Sequence, residues 1–205
     1  MTTPATFPPG SLLHFVRHGA TAANLAGLRC GGDLDLPLTE TGRRQAQQAG
    51  QALLALQPAN GHIAHIVTSD LQRTRETAAL IAGVLGSSWA LPALWVEPAF
   101  AERRLGDWNL KPLAETEAAL RAGQVPPGGE SDAEFQHRIR GALARIAPLL
   151  GQPVLLVGSK GVARVLGLLC GVPHRLALDN GALFRFDLGL APPVPPRTPA
   201  NLETP

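Results

Sequence analysis

Leu12-Leu13-His14-Phe15-Val16-Arg17-His18-Gly19-Ala20-Thr21 is the stretch whose reading decides the fold. An apolar run with β-branched and aromatic members stops abruptly at Arg-His-Gly. The pattern predicts a buried strand that delivers a cation and an imidazole to its C-terminal end. In open α/β sheets that end is where ligands bind. Gly19 permits a sharp turn and a close approach of backbone to a bound group. A neutral, well-held His is a usable nucleophile. The adjacent Arg suggests that the group attacked is an anion, and a phosphoryl group suits its planar fork of donors.

Outward from that strand the chain alternates. Residues 1–10, with Pro4, Pro8, Pro9 and Gly10, read as a flexible arm. A partly helical link over 20–28 and a Gly- and Asp-rich loop over 29–37 follow the strand. Thr39 is placed to cap a helix. In it Ala46, Ala49, Leu53 and Leu56 recur at helical spacing, and it is expected to stop before Pro58. Residues 65–68 read as a second strand, after which Ser69 or Asp70 caps a helix running to about Val84. Residues 94–96 read as a third, short strand.

The stretch 97–129 is the least regular, with a short helix after Pro112. Ser131-Asp132-Ala133-Glu134 is a capping box whose helix is expected to reach Leu150. Residues 154–157 form a continuous apolar run, as in strands buried on both faces. A helix over 161–169 and an edge strand over 182–187 complete the pattern. Residues 189–205 are Pro-rich and read as a disordered tail. Strands alternating with helices predict an α/β three-layer sandwich. Its mostly parallel central sheet is flanked by helices, in one domain over 11–188.

Composition narrows the function. The 205 residues suit one domain, and 45% apolar content argues against disorder. A net charge of +2 without a basic run gives no support to nucleic-acid binding. Cys30 and Cys170 are too few for a disulfide framework and suggest free thiols in a reducing cytosol. No signal peptide is visible, so a cytoplasmic location is expected. No apolar run approaches the roughly 20 residues of a membrane span, so no membrane partner is expected. No His, Cys and Asp cluster has metal-ligand spacing, and the expected cofactor is none.

Arg17-His18-Gly19 resembles the signature of the histidine phosphatase superfamily, also called the phosphoglycerate mutase-like fold. The resemblance continues through Thr21 and Asn24, Pro37-Leu38-Thr39 with Gly42, and Gln45-Ala46. It also takes in residues 69–74 with Thr77-Ala78, Glu102 with Gly106-Asp107-Trp108, and Gly129-Glu130-Ser131. It spans most of residues 12–187 in the family's order. One position departs: where the family has a second catalytic His in Ser-His-Gly, this chain has Ser159-Lys160-Gly161. Asn109-Leu110 also departs from the family's frequent Glu-Gly.

The resemblance implies a phosphohistidine intermediate on His18. Arg17 and Arg73 read as phosphate clamps, while Arg75, two residues on, faces elsewhere. Asn24 resembles a phosphate-contacting Asn, and Glu102 resembles the acid that protonates the leaving oxygen, with Glu97 a nearby competitor. Lys160 supplies charge and donors where the family has imidazole, on a longer stem. Arg103, Arg104 and Lys111 suit either a basic mouth or a solvated face. Glu130 and Ser131 resemble a stretch near the substrate, and Ser131 equally suits a helix cap. These features point to a phosphomonoester hydrolase acting on a small phosphorylated substrate. Two alternatives stand beside it: a weakly active phospholigand-binding protein, and a phosphoglycerate mutase. The sequence does not specify the oligomeric state.

Overall fold

The computed structural model describes residues 11–88, 90–172 and 178–189. The arm over 1–10 and all of the tail but Gly189 lie outside the described residues. The chain builds a five-stranded sheet in the order β3-β2-β4-β1-β5. Its strands are β1 (Leu12–Arg17), β2 (His65–Thr68), β3 (Ala93–Val96), β4 (Val154–Gly158) and β5 (Leu183–Asp187). β1, β2, β3 and β4 run parallel, and β5 pairs antiparallel with β1 at one edge. The helices are α1 (Ala22–Leu25), α2 (Glu40–Asn60), α3 (Gln72–Gly86), α4 (Leu113–Arg121), α5 (Asp132–Ile146) and α6 (Lys160–Leu169).

Side chains alternate across the sheet, so each strand feeds two cores. Leu13, Phe15, Val154 and Leu156 pack with Phe135, Ile139, Val162 and Leu166 of α5 and α6. Val16, Leu155 and Val157 pack with Leu53 of α2 and with Ile81 and Leu85 of α3. This is why β4 reads as an unbroken apolar run: all five of its residues are buried. It is also why the architecture is the three-layer sandwich.

The chain leaves β1 toward one face and leaves β4 toward the other. Neighbouring strands whose connections diverge open a crevice at their C-terminal ends, which places a ligand there. Gly19 and Gly42 let the start of α2 close on the end of β1. A Cβ on Gly19 would stand 2.1 Å from the Gly42 carbonyl oxygen, and one on Gly42 would stand 2.2 Å from the Ala20 carbonyl oxygen.

Three local expectations are corrected. α2 runs through Pro58 to Asn60 and stops at Gly61, whose φ is +79°. A proline in the last turn removes one backbone bond near an end that frays anyway, and the positive-φ glycine, whose extended ψ leaves the helix, is the stronger stop. α3 begins one residue after Leu71 with no side-chain cap of its own. Its first N–H groups are met from elsewhere: the Asp35 carboxylate accepts from Gln72 N at 2.8 Å, and Ser69 Oγ accepts from Leu71 N at 3.4 Å. α5 ends at Ile146 and tightens into a 3₁₀ turn over Ala147–Gly151, because Pro148 cannot supply the next helical donor.

Candidate active site

His18 lies one residue beyond β1 and extends its ladder, donating N–H to the Gly158 carbonyl at 2.9 Å. The side chain is 4% exposed. Its Nδ1 is 2.8 Å from the Gly19 carbonyl oxygen. Burial above all, and then the Arg73 guanidinium, push the imidazole pKa down from 6.5 to about 3. The Gly19 carbonyl opposes the fall and Arg17 adds to it. The ring is therefore neutral at pH 7. With its proton on Nδ1 toward Gly19, the lone pair is on Nε2, as a nucleophile requires. Gly19 is itself held by α3, its N–H donating to Thr77 Oγ1 at 3.1 Å.

Arg73 is the second residue of α3 and is fully buried. Its Nη1 and Nη2 donate to the carbonyls of Leu34 and Gly31 at 2.8 and 3.0 Å. Arg17 Nη1 donates to the Leu178 carbonyl at 2.6 Å. The Nε atoms of both arginines are buried without a hydrogen-bond partner. A buried donor left unpaired costs about 1–3 kcal/mol. Two such donors on cations whose fields both reach His18 make a site that favours an anion beside the imidazole. Arg75 is exposed, as its place in the helix predicts.

Glu102 arrives from the opposite side. Its Oε1 accepts from Arg103 N at 2.7 Å, and its Oε2 accepts from Gly161 N at 2.9 Å. The carboxylate thus sits at the N-terminus of α6, and its field reaches Arg17. A Cβ on Gly161 would stand 2.0 Å from Oε1, so glycine at 161 makes room for the acid. Glu97, the competing carboxylate, is bound by Arg145 at 2.6 and 2.8 Å and accepts from Ala99 N at 3.0 Å. The Arg145 hydrogen bonds hold its carboxyl below the usual range despite partial burial. Glu97 is committed to an ion pair, whereas the bonds to the Glu102 carboxylate come from backbone N–H groups.

Lys160 is the first residue of α6, exposed, and without a hydrogen-bond or ion-pair partner among the described residues. Asn24 is held by its oxygen, which accepts from Thr21 N at 3.1 Å and from Asn180 Nδ2 at 3.2 Å. Its own Nδ2 is the atom left for a ligand. Of the basic-mouth candidates, Arg103 is buried at 6% exposure and donates to the Glu130 carbonyl at 2.9 Å. Arg104 and Lys111 are exposed. Ser131 is the helix cap: its Oγ accepts from Glu134 N at 3.2 Å, and Glu134 returns a bond to Ser131 N.

Several residues of this neighbourhood escape sequence reasoning. Asn180 donates to the His18 carbonyl at 3.0 Å as well as to Asn24. Asp33 accepts from Leu105 N at 3.0 Å, Gly106 N at 2.6 Å and Asn109 Nδ2 at 2.7 Å. Cys30 lies within the field of both Arg73 and Glu102, and burial pushes its thiol pKa up. The Asp in the Gly-Gly-Asp of the 29–37 loop was the available signal for a loop tie; nothing marked the other two. Among the described residues no three His, Cys, Asp or Glu side chains could share a metal ion. No helix among them is long and apolar enough to cross a membrane.

A fold of this kind, with an imidazole and two guanidiniums at the strand tips, defines a class, and comparison with known proteins gives it a family. Residues 13–189 match the model of the histidine phosphatase superfamily (branch 1), and the chain belongs to that superfamily. Its relatives include a Photorhabdus laumondii protein described as "Probable phosphoglycerate mutase GpmB", 35% identical, with 88% of this chain and 86% of that one covered. A Cronobacter sakazakii protein of the same description is 37% identical, with 88% and 86% covered. Among solved structures, the mycobacterial glucosyl-3-phosphoglycerate phosphatase in complex with VO3 is 29% identical. Its TM-score is 0.69, with 85% of this chain and 91% of that chain covered. The alpha-ribazole phosphatase of Shigella flexneri is 26% identical, with a TM-score of 0.69 and coverages of 85% and 89%.

Proposed function

We propose that the protein is a phosphomonoester hydrolase working through a phosphohistidine on His18. Nε2 of the neutral ring attacks phosphorus in line with the ester oxygen. The Nε donors of Arg17 and Arg73 receive the equatorial oxygens, where charge accumulates. Glu102 in its protonated form gives its proton to the leaving alkoxide, then takes one from the water that cleaves the phosphorus–nitrogen bond. Asn24 Nδ2 adds a donor, and Lys160 adds charge at the mouth. The observation that carries this reading is the buried, neutral His18, with its Nδ1 engaged by Gly19, beside the fully buried Arg73 and the partly buried Arg17, each of which keeps a buried, unpaired Nε donor.

The relatives' names include mutases and the structural neighbours include phosphatases. Hydrolysis is favoured because Glu102 is only partly buried at the α6 N-terminus, where Lys160 is exposed, which leaves the acid side open to water. A mutase must keep water from its phosphoryl-enzyme. The same exposure supports the second reading, a weakly active phospholigand binder, since a mobile ammonium is a poorer fixed donor than imidazole.

The test is hydrolysis of an aryl phosphate near pH 6 without added metal, comparing wild type, His18→Ala and Lys160→His. Turnover that falls at least about 10³-fold in His18→Ala supports the hydrolase. Turnover unchanged in that variant sinks the mechanism. Activity present only in Lys160→His identifies the binder. Incubation with 3-phosphoglycerate separates the mutase, which would yield the 2-isomer instead of inorganic phosphate.

A further inference from the structure

Glu102 sits in a segment with little regular structure to fix it. Only a 3₁₀ turn over Pro98–Phe100 precedes it and another over Gly106–Trp108 follows. On the side that packs against α5, one side chain gathers the segment up to and including Glu102. Arg138, midway along α5, donates Nη1 to the carbonyls of Ala99 and Ala101 at 2.7 and 3.0 Å. It donates Nη2 to the carbonyl of Glu102 itself at 3.2 Å. The guanidinium is oriented in turn by Glu130, which accepts from Nη2 and, at 3.3 Å, from Nε. Glu130 is 2% exposed and also accepts from Arg104 N at 2.9 Å, two residues past Glu102. The Phe135 ring lies under the guanidinium, 5.1 Å from centroid to Cζ.

One planar cation thus gathers three carbonyls of a four-residue stretch, and one buried carboxylate fixes both that cation and the backbone just beyond. We infer that Arg138, held by Glu130, is the positioning residue for the general acid: it sets where the Glu102 carboxyl stands relative to the ester oxygen. This rests on the reading of Glu102 as the acid. Neither Arg138 nor Glu130 is given a contact with substrate. A Lys at 138 offers a single ammonium, which cannot reproduce the fork across the three carbonyls and Glu130. Displacing a catalytic group by about 1 Å costs on the order of 10²-fold. Here the loss is confined to the step that needs the proton.

Leaving groups of different basicity read that step directly. kcat/KM reports phosphoryl transfer to His18 with departure of the alcohol, without the later hydrolysis. Phenoxide needs protonation to leave, and 2,4-dinitrophenoxide does not. Arg138→Met is expected to lower kcat/KM for phenyl phosphate about 10²-fold and for 2,4-dinitrophenyl phosphate less than about threefold. Arg138→Lys is expected to keep that split. Equal losses on the two esters would mean general damage and overturn the inference. Glu102→Gln is the reference. If it shows the split and Arg138→Met does not, the positioning role is overturned alone. If Glu102→Gln shows no split, the acid assignment fails and the inference falls with it. Should Arg138→Met not fold, Glu130→Gln serves: it keeps the volume and removes the charge that orients the guanidinium. It is expected to give the same split at about tenfold, and equal losses overturn the inference there too.

Discussion

The His18 side of the crevice and the Glu102 side are held by different kinds of bond. His18 and Arg17 stand at the end of a strand paired on both edges, with Arg17 in register with Gly158. Backbone ladders and two packed cores place them, and no single polar side chain decides where they point. Glu102 is placed largely by side chains reaching to backbone: Arg138 to the carbonyls of Ala99, Ala101 and Glu102, Asp33 to Leu105 and Gly106 N, and Asn109 to Gly31 N at 2.7 Å. A nucleophile mounted on the sheet is insulated from changes elsewhere on the surface. An acid strung between polar ties is exposed to each of them.

Arg73 joins the two sides, because its charge acts on His18 and its guanidinium holds the loop at Gly31 and Leu34. Arg73→Met is therefore expected to give the largest loss, about 10²–10³-fold in kcat/KM for any phosphate ester. A loss under about tenfold would show that the clamp lies elsewhere. Hydrogen exchange over residues 29–35 should rise in the same variant.

Acidification probes the sheet-mounted side. The unfolded His18 imidazole binds a proton at about 6.5, and the folded one refuses it down to about 3. Stability is thus full above pH 6.5 and falls as the pH drops through the interval, by up to about 1.4 kcal/mol per unit. Denaturant midpoints between pH 6.5 and 4.5 should show this slope in wild type. His18→Gln should lose one proton's worth of it. His14, whose pKa is lowered by burial and by Arg185, contributes to the residual slope, and near pH 4.5 so does Glu97. An unchanged slope in His18→Gln would contradict the neutral, buried imidazole.

Asp33→Asn tests the strung side. Burial works against the Asp33 charge, but donors from Asn109, Leu105 and Gly106 outweigh it and hold the carboxyl below its usual range. The substitution is expected to cost about tenfold in turnover, as an acid loop loosened by roughly one charged hydrogen bond. Its acid-dependent loss of stability would appear only below about pH 4, well separated from that of His18. The smallest effect is at Leu110, the one non-glycine among the described residues with positive φ, at 61°. Relief of about 1–2 kcal/mol of strain, less the about 0.5–1 kcal/mol of glycine's extra unfolded freedom, leaves Leu110→Gly more stable by up to about 1.5 kcal/mol. Thermal unfolding reads it, and destabilisation would refute the strained turn.

The same contrast explains what the sequence made legible. Strand β1, the two-sided burial of β4 and the Ser131 cap are written in period and local residue type, so each could be read from a few neighbours. Arg17, His18 and Arg73 follow strand tips and share that legibility. Glu102 was reached through resemblance and spacing, because no period runs through 97–130. The Asp33, Asn180 and Arg138 ties join residues far apart in the chain, and nothing local to an Asp or an Arg says whose N–H or carbonyl it will meet. The Pro58 and Leu71 corrections have the same origin: a competing glycine in one case and a capping carboxylate from another loop in the other.

The Gly19–Gly42 approach has a consequence for how this chain can drift. A side chain on either residue meets a main-chain carbonyl, of Gly42 in one case and of Ala20 in the other. Backbone cannot be trimmed by a second substitution, so no compensating change elsewhere restores the space. The two positions behave as a single locked locus, closed to stepwise exploration. The acid side carries a lock of the same kind, since a Cβ on Gly32 would stand 2.0 Å from the Glu102 carbonyl oxygen.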